Sequence, residues 1–237
     1  MWRSPRYQAK MITVIIATRD DEEDLAHTLA ALAPAAMDGI VRDVVVVDAG
    51  SRDGTLDVAD AAGCAIVRGS GAAALMQAAE TARGDWLLFL SPRSVLEAGW
   101  QAEVLAFMDR TAMAGTARTS AATFRLRRPD LGPGPRLAEL FALVRTGLVA
   151  APYGEQGLLL SRHYYRGLQG HRDLPAMADV EIARRIGRRR LTQLRAHAMV
   201  RQHGGRRRGA LRSLRNAACL TLFVLRLPPG LIGRLAG

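Results

Sequence analysis

After Glu181 the chain has no acidic residue. Fourteen arginines follow that position, whereas the first 181 residues carry nineteen basic and twenty-two acidic groups. A near-neutral body with a cationic end suits phosphates, anionic lipid surfaces or nucleic acid; a solvated helix face is the plain alternative. Cysteine is nearly missing: Cys64 and Cys219 lie far apart and match no metal spacing. They read as buried thiols in a reducing compartment, with a disulfide the weaker reading. Hydrophobic runs are short. The longest near the C-terminus, 217–225, falls well below the roughly 20 residues needed to span a bilayer. Residues 1–10 are polar and lack the apolar core of a signal peptide. The expected location is cytoplasmic, with peripheral attachment at the inner face of the plasma membrane allowed by the basic end.

Motif absences narrow the chemistry further. There is no P-loop lysine and no G-x-G-x-x-G, so ATPase and dinucleotide readings lose support. No G-x-S-x-G marks a serine hydrolase. His163, His171 and His203 have no metal spacing, which argues against a hydrolytic zinc site. Aromatic residues are only 5%, and no recognition module accompanies the arginines, so nucleic acid is not an expected partner.

Hydrophobic residues make up 49% of the 237, enough for one substantial core. Strand and helix signals alternate through the first half. The run "MITVIIA" (11–17) is short, apolar and β-branched, as a strand buried on both faces requires. Polar "TRDDEED" follows, then Leu25, Leu29 and Leu32 at helical spacing, with Asp20 or Asp21 as cap and Pro34 as stop. A second strand at 44–47 leads into Asp48 and the turn "AGSRDGT", where Asp53 or Ser51 can cap a helix at 55–62. A third strand at 65–67, a helix at 72–81 and a fourth strand at 85–90 complete the series. This pattern predicts an α/β fold: a doubly wound, mostly parallel sheet with helices on both faces. Beyond it lie a loop at 127–136, helices at 137–149 and 177–186, and a basic amphipathic helix at 207–226. The expected division is a domain at 1–200 and a basic extension at 201–237, packed on that domain or on a membrane surface.

The most specific element is "VVVVDAGSRDGT" (44–55). A carboxylate at a strand end, a glycine-containing turn and a helix N-terminus form an arrangement that can bind a nucleoside. Asp48 can accept hydrogen bonds from a base or ribose, and the backbone can approach closely at Gly50 and Gly54. A capped strand–turn–helix without any ligand fits the same spacing.

Through this turn and the segments around it, the chain resembles the family-2 glycosyltransferases, which have the GT-A nucleotide-sugar fold. "VIIATRD" (14–20) is similar to the family's opening strand, with Ala17 where proline is usual. "VVDAGSRDGT" (46–55) resembles its nucleotide-binding turn, and "ARGDWLLFLSPRS" (82–94) takes the place of its metal-motif strand. "PYGEQGLLL" (152–160) and "DLPAMADVEIARR" (173–185) resemble a bacterial subgroup that reads close to PYGDQG and LMED. The resemblance runs from about residue 11 to 235. It implies transfer of a sugar from a nucleoside-diphosphate sugar to an acceptor hydroxyl, with a base for the acceptor proton and positive charge for the departing diphosphate. It further implies Thr18, Asp20, Asp48, Gly50 and Ser51 around the nucleotide, Asp179 as base, and Glu155 and Gln156 on the acceptor side.

The departures fall on charged positions. The acid of the metal motif, which in the family holds magnesium or manganese, aligns with Arg93, and an arginine has no lone pair for a cation. A guanidinium about 4 Å from a phosphate charge is attracted by roughly 4 kcal/mol at an effective dielectric near 20. Arg93 therefore reads as a metal-independent phosphate clamp, as the mark of a dead site, or as a surface arginine after a proline turn. The first acid of the catalytic pair is Ala178, leaving Asp179, which a helix-start role explains equally. Arginines common at 71–77 are replaced in "GAAALMQ". The family's C-terminal arginine pair falls on His203 and Gly204, with Arg206, Arg207 and Arg208 able to supply the charge from a shifted position. The expected partners are a nucleoside-diphosphate sugar, an acceptor that a lipid carrier would suit, and an anionic membrane surface. The rival reading is a non-catalytic descendant that binds a nucleotide or a protein.

Overall fold

The structure is a computed structural model and describes residues 11–127, 154–174 and 178–201. Its first half is strictly alternating: β1 (Ile12–Thr18), α1 (Glu22–Met37), β2 (Val41–Asp48), α2 (Thr55–Ala61), β3 (Ala65–Arg68), α3 (Gly71–Thr81) and β4 (Trp86–Leu90). Then come a short β5 (Ser94–Leu96), α4 (Trp100–Met113), β6 (Ala121–Arg127), a 3-10 turn (Gly154–Gln156), β7 (Leu158–Ser161), α5 (Arg162–Gly167), α6 (Ala178–Ile186) and β8 (Leu191–Val200). The expected loop at 127–136 (past Arg127) and the helices at 137–149 and 207–226 lie outside the described residues, as does the extension beyond Arg201.

Side chains on a strand alternate between faces, so a strand buried on both sides feeds two cores. Ile12, Val14 and Ile16 of β1, with Trp86, Leu88 and Leu90 of β4, join one cluster. Ile15, Leu87 and Phe89 join the other. Leu25 and Leu32 of α1 and Trp100, Val104 and Phe107 of α4 cover the first face. Ala74, Ala78 and Ala79 of α3, Tyr165 of α5 and Ile182 of α6 cover the second. Helices thus lie on both faces, as the sequence predicts.

The sheet order is β3-β2-β1-β4-β7-β6-β8-β5. From β3 to β4 every pairing is parallel. Past β4 the sheet is mixed: β7 runs antiparallel to β4 and β6, β8 is parallel to β6, and β5 is antiparallel to β8. The parallel half puts the C-terminal ends of β1, β2 and β4 along one edge, where open α/β sheets hold ligands.

Three local expectations need correction. Pro34 lies inside α1, which continues to Met37; a proline so near the C-terminus forfeits one internal bond without breaking the last turn. Asp21 is the N-cap residue of α1, but its side chain makes no capping bond. Gly54 is the N-cap of α2, while Asp53 reaches past it to accept from the Thr55 amide at 3.1 Å. Cys64 is a free, partly buried thiol whose pKa burial pushes up to about 11, so it is a poor nucleophile at neutral pH.

Candidate functional site

Thr18 and Asp48 end neighbouring strands in direct register. Asp48 is only 2% exposed, and its carboxylate accepts from the Gly50 amide at 3.1 Å and from the Ser51 amide and hydroxyl. Several donors hold this buried carboxylate in one orientation. The loop after β1 is laced to this turn. The Asp20 amide donates to Ser51 Oγ at 3.0 Å, and the Arg52 amide donates to Asp20 Oδ1 at 2.7 Å. Asp20 adopts φ +53, a conformation few non-glycine residues take, and these bonds hold it there. Next to them, the Thr55 hydroxyl and amide hold the Asp53 carboxyl below the usual carboxylate range. The Thr18 hydroxyl is buried with no hydrogen-bond partner. Thr18, Asp20, Asp48, Gly50 and Ser51 therefore form one rigid patch with an unmet polar group.

Arg93 goes elsewhere. The turn after β4 is tied to α1 by the Thr28 hydroxyl, which donates to Pro92 O at 2.6 Å. Arg93 Nε lies 3.3 Å from Asp24 Oδ2 and its Nη2 lies 3.5 Å from Asp21 Oδ1. Arg201, just past β8, adds a second cation: Nη2 is 2.7 Å from Glu23 and Nε is 3.7 Å from Asp24. Its amide donates to Arg93 O at 3.1 Å. Arg93 shares a cavity of about 510 Å³ with Asp20 and Asp53, but Asp48 does not line it. The acids of "TRDDEED" crowd the start of α1, and Arg93 offsets them. A guanidinium flanked by two carboxylates presents a phosphate with little net positive charge.

A second cleft, about 420 Å³, opens between the ends of β1 and β4, the 3-10 turn and the start of α6. Ala17, Ser91, Glu155 and Asp179 are among its walls. Asp179 is in the first turn of α6 with half its side chain exposed. Gly154 packs against it so closely that a Cβ there would sit 2.4 Å from Asp179 Oδ2. Glu155 lines the cleft, but Gln156 is fully buried and its amide donates to Phe124 O at 3.2 Å. Gln156 thus braces the turn instead of facing the cleft. One cleft-side group was not anticipated: His171, whose Nε2 is 3.3 Å from Asp179 Oδ1. Nothing in its sequence spacing signalled this, because the contact depends on how α5, α6 and the loop between them fold back.

The family model described as glycosyl transferase family 2 matches residues 13–151, more than half of the chain. The chain belongs to that family. Similar solved structures include glucosyl-3-phosphoglycerate synthase from Mycobacterium tuberculosis in complex with Mn2+ and uridine-diphosphate-glucose. It is 19% identical, with a TM-score of 0.60, over 96% of this chain and 85% of that one. The same enzyme with uridine diphosphate is 20% identical, TM-score 0.59, over 96% and 86%. A further mycobacterial protein is 22% identical, TM-score 0.60, over 92% and 76%. These likenesses show the fold, that of the GT-A glycosyltransferases. No curated protein sequence matches the chain.

A divalent metal at the end of β4 would need oxygen ligands. The residues there are Ser91, Pro92 and Arg93, and the arginine brings positive charge where a carboxylate would be required. Among the described residues no three His, Cys, Asp or Glu side chains converge as metal ligands. The β4 end does not fit the ion.

Proposed function

We propose that this protein transfers a glycosyl group from a nucleoside-diphosphate sugar to an acceptor hydroxyl, without a metal held at the end of β4. The observation that carries the reading is the Asp179 carboxylate, half exposed on the wall of a 420 Å³ cleft beside the Asp48 patch. The patch would seat the nucleoside through Asp48, Thr18, Asp20, Gly50 and Ser51, and the sugar would lie in the cleft. Asp179 would take the acceptor proton as oxygen attacks the anomeric carbon and the diphosphate leaves. Glu155 faces the acceptor in this arrangement. Arg93 enters as a support for the acidic loop, since Asp21 and Asp24 already engage it. Charge for the diphosphate would come from Arg206, Arg207 and Arg208, since the chain leaves β8 at Arg201 beside the Arg93 backbone. The two synthase structures hold uridine-diphosphate-glucose and uridine diphosphate, which makes UDP-glucose the first donor to try.

The test is UDP release from UDP-glucose by wild type and Asp179→Asn. Loss of a general base predicts a drop of about a hundredfold or more with UDP affinity unchanged. Equal rates in both proteins would refute Asp179 as the base. A non-catalytic nucleotide binder is the second reading, favoured by the neutralised Arg93; it predicts UDP binding with no release in either protein.

No described helix is long and apolar enough to cross a membrane. We assign the arginines that follow Arg208 to an anionic lipid surface, each adding about 1 kcal/mol of attraction near it, in a protein working in the cytoplasm. Removing 206–237 should abolish pelleting with phosphatidylglycerol vesicles; unchanged pelleting would refute this role.

A further inference from the structure

Behind Asp179 stands an imidazole with no solvent contact. The side chain of His171 is 0% exposed, and Nδ1 lies 2.9 Å from the Tyr165 hydroxyl. That same hydroxyl oxygen accepts the His171 amide at 3.3 Å. While its oxygen accepts the amide, the Tyr165 hydroxyl can still donate its one proton to Nδ1. Burial pushes the Tyr165 pKa up to about 12, so the proton stays on the phenol. An accepting Nδ1 leaves the ring proton on Nε2. Nε2 is buried without a hydrogen-bond partner, and the acceptor it faces is Asp179 Oδ1, 3.3 Å away.

The surrounding chain is built to hold the ring there. Gln169 and Gly170 both take positive φ, +59 and +66, immediately before His171. Such a turn is uncommon at a non-glycine residue and persists only when its surroundings enforce it. Arg185 does so: its Nη1 donates to Leu168 O, its Nη2 to Gly170 O at 2.7 Å, and its Nε to Glu181 at 2.9 Å. A Cβ at Gly170 would meet Met76 at 2.7 Å, so the turn lies flat against α3. Phe89, on β4, packs edge-on against the imidazole at 4.9 Å. Elements from across the sheet thus converge on one side chain whose unpartnered Nε2 lies beside the carboxylate.

We propose that His171 is a positioning residue for Asp179, its Nε2–H orienting Oδ1 so that Oδ2, along Gly154, meets the acceptor hydroxyl. The assignment rests on the transferase reading of Asp179.

Its test pairs kinetics with a readout that needs no turnover. His171→Phe removes both polar contacts; His171→Asn keeps a group near Nδ1, and His171→Gln keeps a donor near Nε2. The Phe and Asn variants should lose about tenfold or more in kcat for UDP release from UDP-glucose. Their KM and UDP affinity should stay unchanged, and the Gln variant should recover most of the rate. Equal losses in Gln and Asn, no loss in Phe, or a loss carried by KM would overturn the proposal. In nitrogen-15 spectra of the histidines, His171 should carry a proton on Nε2, with that resonance moving in Asp179→Ala. Protonation on Nδ1, or indifference to Asp179, would overturn it too. An inert protein with the expected spectra would refute the transferase reading and leave the His171–Asp179 contact standing.

Discussion

The turns after β2 and β4 sit at the same edge of one sheet and handle charge in opposite ways. After β2 the acids are satisfied close by: Asp48 by Gly50 and Ser51, Asp53 by Thr55. After β4 the charge is a cation, and its partners come from far along the chain. Arg93 meets Asp21 and Asp24, and Arg201 meets Glu23 across 178 positions. A carboxylate held by near neighbours, as Asp48 is, keeps its orientation when one distant residue changes. A site built from distant charges can keep its fold while its chemistry shifts, and Arg93 in the metal-motif place is such a shift.

This contrast can be broken by substitution, and the largest effect should come from the cleft. Gly154→Ala puts a methyl group where Asp179 Oδ2 now lies. Displacing a base by about 1 Å can cost about a hundredfold in rate, so UDP release should fall by that order while melting temperature moves little. A variant with the normal rate would mean that the carboxylate does not work from this position. A smaller effect is expected at Arg93. Arg93→Ala should cost roughly 1–3 kcal/mol in chemical denaturation, because Asp24 is 5% exposed and loses one of its two cations. UDP affinity should stay near the wild-type value. A large loss of UDP affinity with little loss of stability would restore Arg93 as a phosphate clamp.

The same division explains how much the sequence revealed. The alternating strands and helices, both core faces and the Asp48 turn were legible, because periodicity and short-range turn chemistry determine them. The mixed half past β4 was not, since β5 pairs with β8 about a hundred residues later and short apolar runs do not announce direction. Arg93 was expected beside Asp48; its actual partners depend on how α1 packs against the β4 turn. Glu155 lines the cleft, whereas its neighbour Gln156 turns inward because a 3-10 turn points successive side chains apart. His171 was passed over for lack of metal spacing, and only the folded loop between α5 and α6 brings it to Asp179.

The most direct measurement is a calorimetric titration of the full-length protein with uridine diphosphate, in the presence and absence of manganese. Binding with the same affinity in both conditions is the expected result, since the proposed nucleotide contacts lie in the β2 turn and the β4 end lacks a carboxylate. Binding that appears only with manganese, or no binding in either condition, would contradict it.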